Sequence, residues 1–425
     1  MCQGLAICIW CSRGDPQAAM QRTNSRQNNK KGKGGSCNSI ATFFIVWLLA
    51  FANEVGDKLP FGEGSEASTQ IRLPFPNKKM VYSMYKKFEE QKNVTGVNKI
   101  ISYNTAIKAW KEDPNARHIK LAKFKEGFSK CDVCSMYDLQ ITKQLTAAQR
   151  ANLDCDFYSH LAETKKERQQ YYKAKNKAMT RPTECMSLIM DSMDQRKTSV
   201  PFFSNPPKSI ASDYVLKTKL MATIIHGHGT YLFWTTDQVK HDTNFTIECL
   251  RRALLKYEAE VGKLPGVLYL QMDNGPDQKS KQFLAFLAYL VERNVFHTIK
   301  VSYLIVGHTH EDIDQYFSCI SRYIRKWLKS LLSIGCLLQA LNSCFKTPGC
   351  IPKCVEQVKY CYDTKPLLQF VDQQFRRFDL DEKTNDKVHY FVMKRNSTGK
   401  ATMQYKLKRY SDAVYPRKFS FGDAF

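Results

Sequence analysis

Between residues 184 and 330 the hydrophobic pattern of the chain alternates between two periods. Short apolar runs rich in β-branched and aromatic residues predict buried strands, and segments whose apolar residues recur every three or four positions predict amphipathic helices. The predicted strands are Cys185–Met190, Leu220–Ile225, Tyr231–Trp234, Val267–Met272 and Ile299–Val306, with helices at 243–262, at 282–291 and from about 313. This order of strand, hairpin, helix, strand, helix, strand and helix predicts an α/β fold, with a mixed five-stranded sheet flanked by helices.

Composition divides the rest of the chain around this core. The first residues are polar, Gly-rich and basic, which predicts a disordered arm, and the next segment holds short helical patterns broken by prolines. The predicted domains are a basic arm at 1–38, a helical N-terminal region at 39–125, a Cys-x-x-Cys motif with a long helix at 126–183, the α/β core at 184–330 and a helical and strand extension at 331–425.

The apolar run Ile40–Ala52 is the one membrane-like feature of the sequence. It is too short to span a bilayer unaided, because a spanning helix needs about 20 residues. It also follows a polar, Lys-rich stretch, so a buried helix is favoured over a signal anchor. We therefore expect a protein that is not secreted and does not bind a membrane.

Charge points to a polyanionic partner. The chain has 425 residues, of which 64 are Lys or Arg and 40 are Asp or Glu, so its formal net charge is +24. Such a field collects nucleic acid, and DNA is the predicted partner, although a basic surface can also contact nothing in particular. The 15 cysteines are odd in number and scattered, which favours reduced thiols and a nuclear or cytoplasmic location over a secreted disulfide framework.

Acidic residues follow three of the predicted strands. Asp191 and Asp273 end the first and fourth strands, Asp194 lies close to the first, and Glu311, Asp312 and Asp314 follow the fifth. The first and fourth strands can lie side by side in a mixed sheet, which would bring Asp191 and Asp273 together. Carboxylates that close need a neutralising partner, and oxygen ligands favour Mg²⁺ or Mn²⁺. Two such ions could support cleavage and transfer of a phosphodiester.

Helix geometry separates the three acids of the last group. At about 100° per residue, Asp314 lies at the edge of the apolar face that begins with Ile313, and Glu311 lies farther out. Asp312 lies on the opposite flank, three residues after Thr309, which is the spacing of a capping box. We therefore predict Asp314 as the third metal ligand, with Glu311 and Asp194 as second choices and Asp312 and Thr309 as capping residues. A solvated acidic helix start is the alternative for all three.

Other residues near the acids have supporting roles in this interpretation. His308 and His310 flank the turn before the helix, and hydrogen bonds that hold the loop are a more common role for such histidines than phosphate binding. Basic residues that follow the acids could contact the DNA backbone or could simply be solvated. They are Lys279, Lys281, Arg322, Arg325 and Lys326.

A second metal site is predicted upstream. Cys131 and Cys134 form a Cys-x-x-Cys motif before a long helix that holds Cys155 and His160, so a structural zinc site with Cys131, Cys134 and His160 is one interpretation. His118 is an equal candidate for a missing ligand, and two ordinary reduced cysteines at a helix start are as consistent with the pattern. The looser group Cys344, Cys350, Cys354 and Cys361 is interpreted as coincidence.

Three strings in the chain resemble known proteins. The strand order with acids at these ends resembles the ribonuclease H-like fold of retroviral integrases and DDE/DDD transposases. MDSMDQ at 190–195, LYLQMDN at 268–274 and VGHTHEDIDQYFSCISRYIR at 306–325 resemble an uncharacterised family of eukaryotic mobile-element-like proteins known as a domain of unknown function. The likeness extends upstream through FSKCDVC at 128–134.

The resemblance implies a transposase-like catalytic core that uses two divalent ions, with Asp191, Asp273 and Asp314 as the matching acids. It also implies a homo-oligomer, as for transposases. The third acid departs from the Glu that is typical of integrases. The alternatives are a domesticated nucleic-acid-binding protein without catalysis and a structural zinc protein organised by Cys131 and Cys134.

Overall fold

The structure is a computed structural model. It describes residues 39–59, 70–73, 75, 77–92, 100–121, 131–141, 143, 145–205, 215–273, 275, 277–303, 312–346, 348–368, 388–406 and 415–417. The predicted basic arm at 1–38 lies outside these residues. Among the described residues, those up to Ala50 together with Asn77–Arg117 form one compact unit, and the others form a second.

The first unit is built from helices. They are α1 (Ser39–Val55), which continues into the second unit, α2 (Lys78–Lys92) and α3 (Tyr103–Glu112). The apolar run at 40–52 lies within α1 as predicted, and its Phe44 and Leu48 side chains are fully buried. Phe44 contacts the ring of Tyr85 edge to face at 5.1 Å between centroids. Among the described residues, none of the helices combines the length and the hydrophobicity that a bilayer crossing requires.

The second unit contains a large sheet of nine strands, a small sheet of three strands and a two-stranded ribbon. The small sheet consists of β1 (Asp57–Leu59), β2 (Gln70–Leu73) and β3 (Ile119–Leu121), three short strands that the helical prediction for 39–125 missed. The elements that follow are α4 (Asp132–Ile141), α5 (Ala147–Thr180), β4 (Cys185–Met193), β5 (Phe202–Phe203), β6 (Lys219–Ile225), β7 (Gly229–Thr235), α6 (Thr243–Val261), β8 (Val267–Met272), α7 (Lys281–Glu292), β9 (Thr298–Tyr303), α8 (Asp312–Tyr323), β10 (Ser330–Leu331), α9 (Ile334–Ser343), β11 (Pro352–Gln357), β12 (Tyr390–Arg395), β13 (Ala401–Lys406) and β14 (Tyr415–Arg417).

The large sheet has nine strands in the order β11-β7-β6-β4-β8-β9-β12-β13-β14. The predicted count of five was wrong, because strands from the C-terminal extension lengthen the sheet at both edges: β11 pairs with β7 and β12 pairs with β9. The five predicted strands lie together in the middle. The hairpin β6-β7 is antiparallel, β6 pairs antiparallel with β4, and β4, β8 and β9 run parallel.

Helices cover both faces of the central strands, and alternation along each strand decides which residues they cover. Leu188 and Met190 of β4 pack in one hydrophobic cluster with α6 and α7. Ile189 and Met193 of the same strand pack in a second cluster with α8 and α9. Because successive side chains of a strand point to opposite faces, Asp191 belongs to the face that α8 covers.

Candidate active site

Asp191 and Asp273 lie side by side at one edge of the central sheet. β4 and β8 are parallel neighbours, and their register pairs Ile189 with Gln271. Two residues farther along, the same register sets Asp191 opposite Asp273, as the strand order predicted. β4 continues to Met193, so Asp191 lies inside the strand rather than at its end.

Helix α8 brings Asp314 to the same face. Its residues Ile313, Phe317 and Ile320 are buried in the cluster that also contains Ile189, which confirms the predicted core face of this helix. Asp314 is half-buried at the edge of that face. Its charge reaches Asp191 strongly enough to raise the pKa of the Asp191 carboxyl.

A buried glutamine joins the two strand ends. Gln278 Nε2 donates a hydrogen bond of 2.9 Å to Asp191 Oδ1, and its Oε1 accepts one of 3.0 Å from the backbone N–H of Asp273. Its own backbone carbonyl accepts from the Tyr303 hydroxyl at 3.1 Å. One side chain therefore fixes the position of Asp191 relative to Asp273.

Asp191 is held in an environment that disfavours its charge. Burial, with smaller contributions from the charges of Asp314 and Asp273, raises the pKa of its carboxyl to about 7, although the hydrogen bonds from Gln278 and from the Ser192 backbone lower it. A carboxyl group in this state gains from any cation that reaches it.

The donor atoms of this cluster are carboxylate oxygens, the chemistry that Mg²⁺ and Mn²⁺ prefer. The raised pKa of Asp191 fits a divalent ion as well, since an ion would offset the repulsion among Asp191, Asp273 and Asp314. The oxygens of the three carboxylates do not all lie within 4.8 Å of one another. Among the described residues, the group that meets this distance is Cys131, Cys134 and His160.

Asp312, two residues before Asp314, lies in a contrasting environment. Its side chain is buried, and Oδ2 forms an ion pair with Lys175 Nζ at 2.5 Å and accepts from the Tyr171 hydroxyl at 3.3 Å. His226 Nε2 lies 3.4 Å from the same oxygen. Burial alone would raise the pKa of Asp312, but the His226 hydrogen bond and the Lys175 charge outweigh it and lower the pKa to about 2.

These contacts tie three elements together. Tyr171 and Lys175 are on α5, and His226 is in the turn between β6 and β7, where Ser187 Oγ lies 2.9 Å from its Nδ1. Burial lowers the pKa of His226, so the imidazole is neutral at pH 7. The predicted capping partner of Asp312, Thr309, lies outside the described residues. What the structure shows for Asp312 is a buried ion pair that anchors the start of α8.

Of the two second-choice acids, Asp194 lies among the described residues and Glu311 does not. Asp194 is exposed, and its carboxylate caps the short 3₁₀ turn Gln195–Lys197 by accepting from the Arg196 backbone at 3.1 Å. That contact gives its carboxylate a structural role as a cap. Glu311, His308 and His310 lie outside the described residues.

The predicted phosphate-binding residues lie on the elements that follow the acids. Lys279 is half-buried with its Nζ 5.0 Å from the centroid of the Tyr303 ring, and Lys281 begins α7. Arg322 and Arg325 are exposed at the end of α8 and in the π-helical turn after it. Lys326 lies in the same turn. Their contacts with DNA stay a prediction.

The sulfur-containing site predicted upstream is assembled from α4 and α5. Cys131 Sγ lies 3.3 Å and Cys134 Sγ 3.5 Å from His160 Nε2. The other candidates do not join it: Cys155 is exposed on α5, and among the described residues the group consists of Cys131, Cys134 and His160 alone.

Sequence reasoning missed the residues that support the acids. Gln278, Lys175 and His226 are buried or half-buried polar groups, and each touches an acid that is distant in sequence. Their contacts span 87, 137 and 86 residues, and no spacing rule reaches that far. Ser192 Oγ also lies 3.2 Å from His241 Nε2 on the opposite face of β4. His226 lies in the turn of the predicted hairpin, and the hairpin pattern gives no signal of its contact with Asp312.

Comparisons with known proteins add a family and a set of distant structures. A family model described as "Domain of unknown function (DUF7869)" matches residues 208–411, just under half of the chain, a range that contains Asp273 and Asp314 but not Asp191. No curated protein matches the chain.

Among solved structures, the chain is similar to three structures of the mariner transposase Mos1. "Crystal structure of a pre-cleavage Mos1 transpososome" shares 13% identity over 55% of this chain and 80% of that chain, with a TM-score of 0.18. "Crystal structure of the mariner Mos1 paired end complex with Mg" shares 10% over 60% and 77%, with a TM-score of 0.17. "Crystal structure of the Mos1 Strand Transfer Complex" shares 12% over 72% and 91%, with a TM-score of 0.18. Superpositions this loose carry no weight for function.

Proposed function

We propose that this protein is a transposase-like enzyme that cleaves and joins DNA phosphodiesters with divalent metal ions. The observation that carries the proposal is the acid cluster at one sheet edge, in which Asp191 and Asp273 lie at adjacent parallel strands and Asp314 acts on Asp191 from α8. A protein with net charge +24 has abundant cationic side chains, yet the charged groups that act on the buried Asp191 carboxyl include two acids, Asp314 and Asp273.

The strand arrangement supports the fold part of the proposal. The central order β7-β6-β4-β8-β9, with an antiparallel hairpin followed by three parallel strands, is consistent with a ribonuclease H-like core. In this proposal the flanking strands β11 to β14 are additions that do not carry the acids.

Asp191, Asp273 and Asp314 would hold two Mg²⁺ or Mn²⁺ ions. Bound there, the ions would supply Lewis-acid stabilisation of the attacking and leaving oxygens. The chain's own contribution is to hold the carboxylates in place: Gln278 fixes Asp191 against Asp273, and the ion pair of Asp312 with Lys175 fixes the helix that carries Asp314.

DNA is the proposed substrate because the charge of the chain suits a polyanion. Lys279, Lys281, Arg322, Arg325 and Lys326 are the proposed backbone contacts. A nuclear location and a homo-oligomer follow from the same proposal. If the contacts are to phosphates, log K should fall linearly with log salt by about 0.9 for each phosphate contacted. Binding that does not respond to salt would contradict this part of the proposal.

The decisive experiment is nicking of supercoiled plasmid DNA by the purified full-length protein, with Mn²⁺ and with chelator. We expect Mn²⁺-dependent nicking by the wild type and none by Asp273→Asn. Asp194→Asn is the matched control, since it removes the same charge from an exposed acid at the same edge of β4. Titration of each variant with Mn²⁺ should show weaker binding in Asp273→Asn alone.

Two outcomes would reject catalysis. Nicking that survives in Asp273→Asn would come from a contaminant or another site. Tight, salt-dependent DNA binding without nicking by the wild type, together with no Mn²⁺ affinity, would favour the domesticated nucleic-acid-binding protein.

A further inference from the structure

A second group of side chains that could bind a metal ion lies at α4 and α5. These helices carry none of the three acids of the candidate active site. Cys131, Cys134 and His160 each offer one ligand atom, and the three atoms all lie within 4.8 Å of one another. Cys131 is buried, and the other two are half-buried. Two sulfurs and an imidazole nitrogen facing one point can serve a metal ion, a disulfide or a simple hydrogen-bonded contact.

The local structure brings the two sulfurs to one side of the start of α4. Cys131 immediately precedes the helix, and its carbonyl accepts a hydrogen bond of 2.9 Å from the Ser135 backbone, which closes the first turn. Residues three apart on a helical turn face the same side. Cys134 therefore follows Cys131 toward His160.

Contacts independent of any metal hold α4 against α5. The rings of Tyr137 and Phe157 stack with centroids 3.9 Å apart, and the Tyr137 hydroxyl donates to Asp154 Oδ1 at 2.8 Å. These contacts are on the same two helices as the sulfurs and His160. The three ligand atoms are consequently preorganised, which reduces the entropy lost when an ion binds.

We propose that Cys131, Cys134 and His160 bind a structural Zn²⁺ ion. Thiolate sulfur and imidazole nitrogen are the ligands that Zn²⁺ prefers, in contrast to the all-oxygen acids of the candidate active site. Binding releases the two thiol protons to solvent, and the pair of thiolates balances the charge of the ion. Water can take the fourth position of the tetrahedron.

The zinc site has a defined place in the fold. His160 lies 11 residues before Tyr171 on the continuous helix α5, about 16 Å along its axis. Tyr171 and Lys175 then hold Asp312. The ion would therefore fasten α4 to the N-terminal half of the helix that anchors α8, and its function is to order α5 rather than to take part in chemistry.

The test is metal analysis of the full-length protein purified without chelator from zinc-supplemented cells. We expect about one zinc ion per chain in the wild type and near none in Cys134→Ser. Cys155→Ser is the matched control, because Cys155 is an exposed cysteine on α5, the helix that carries His160, and it should retain the ion. Asp273→Asn should also retain it, which separates this site from the acids.

Spectroscopy keeps the proposal falsifiable if Cys134→Ser does not fold. The wild type reconstituted with Co²⁺ should show thiolate-to-cobalt absorption, and X-ray absorption at the zinc edge should count two sulfur neighbours. A zinc-free wild type with a Cys131–Cys134 disulfide in mass spectrometry would overturn the proposal in favour of a redox pair. Zinc retained in a folded Cys134→Ser would also overturn it.

Discussion

Asp312 and Asp314 are two residues apart on one helix, and the chain treats their charges in opposite ways. Asp312 is buried against Lys175, Tyr171 and His226, and its pKa is lowered to about 2. Asp314 faces Asp191, whose pKa is raised to about 7. A buried carboxylate that pairs with a cation of the protein stabilises the fold. Carboxylates that repel one another are stabilised when a cation from solution binds them.

This difference in environment supports a structural role for Asp312 and the proposed metal-binding role for Asp314. A fold under selection for stability alone would gain by replacing the crowded acids, since each ionised member opposes the others. It would lose by replacing Asp312, because the Lys175 charge would remain half-buried without its partner. Opposite responses to the same Asp→Asn change therefore test the assignment.

The largest effect is expected on cleavage. Asp314→Asn should reduce Mn²⁺-dependent nicking of DNA by about 10³-fold or more, because removal of a ligand forfeits several kcal/mol of transition-state stabilisation. DNA affinity and the free energy of unfolding should stay within about 0.5 kcal/mol of the wild type or improve. Measured nicking rates and binding isotherms check both. Full activity in this variant would mean that the third ligand is another residue, Glu311 being the next candidate.

Asp312→Asn should give the largest loss of stability. Breaking a buried ion pair by removing one partner costs about 3–5 kcal/mol, and urea unfolding monitored by circular dichroism measures it. The capping-box interpretation would give roughly 1 kcal/mol. The loss should shrink as pH falls from about 4 toward 2, because stability from an acid with a lowered pKa is complete above its unfolded value of 3.8 and disappears on protonation.

A control for this prediction is Lys175→Met combined with Asp312→Asn. The double variant should be more stable than the sum of the single losses implies, since neither charge is then left alone. Additive losses would show that the two residues act separately.

In the presence of a chelator, Asp191→Asn should stabilise the protein, whereas Asp312→Asn should destabilise it. With a folded pKa of about 7 against 3.8, ionisation of Asp191 costs the folded state up to about 4 kcal/mol, and this cost develops between pH 4 and pH 7. The variant should therefore be more stable than the wild type at pH 8 and equal to it near pH 4. Thermal unfolding at the two pH values measures the difference. Equal stability at pH 8 would indicate that the acids are too well solvated to repel one another.

The elements of the core could be predicted from sequence because their patterns are local. The hairpin turn, the Gly262 cap with its φ of 92° and the core face of α8 each depend on residues within one or two turns of each other. The helix predicted at 243–262 agrees with α6 to within one residue at its C-terminal end, and its N-cap is Asp242, which accepts the N–H groups of Asn244 and Phe245. Short-range rules fix an element to about that precision.

The rest depended on distant pairings. β11 reaches β7, and β12 reaches β9, across insertions that hydrophobic periodicity cannot measure. For the same reason the ion pair of Asp312 could not be predicted, because its cation lies 137 residues upstream. The neighbouring position of the strands that carry Asp191 and Asp273 was predictable, because the strand order allows them to lie side by side. The side chains that support these acids were not.

The smallest effect is expected from the residue that joins the two strand ends. Gln278→Leu keeps a similar volume but removes the donor to Asp191 and the acceptor for the Asp273 N–H. The Asp273 N–H is left without its acceptor, and Asp191 Oδ1 keeps only the hydrogen bond from the Ser192 N–H, which together cost about 1–2 kcal/mol after partial solvation. In the Asp191→Asn background the loss should be smaller, because a neutral amide needs the donor less than a carboxylate does. Urea unfolding of the four proteins in this cycle gives the coupling. A coupling near zero would show that Gln278 only supports the loop after β8, and that Asp191 is positioned by the sheet alone.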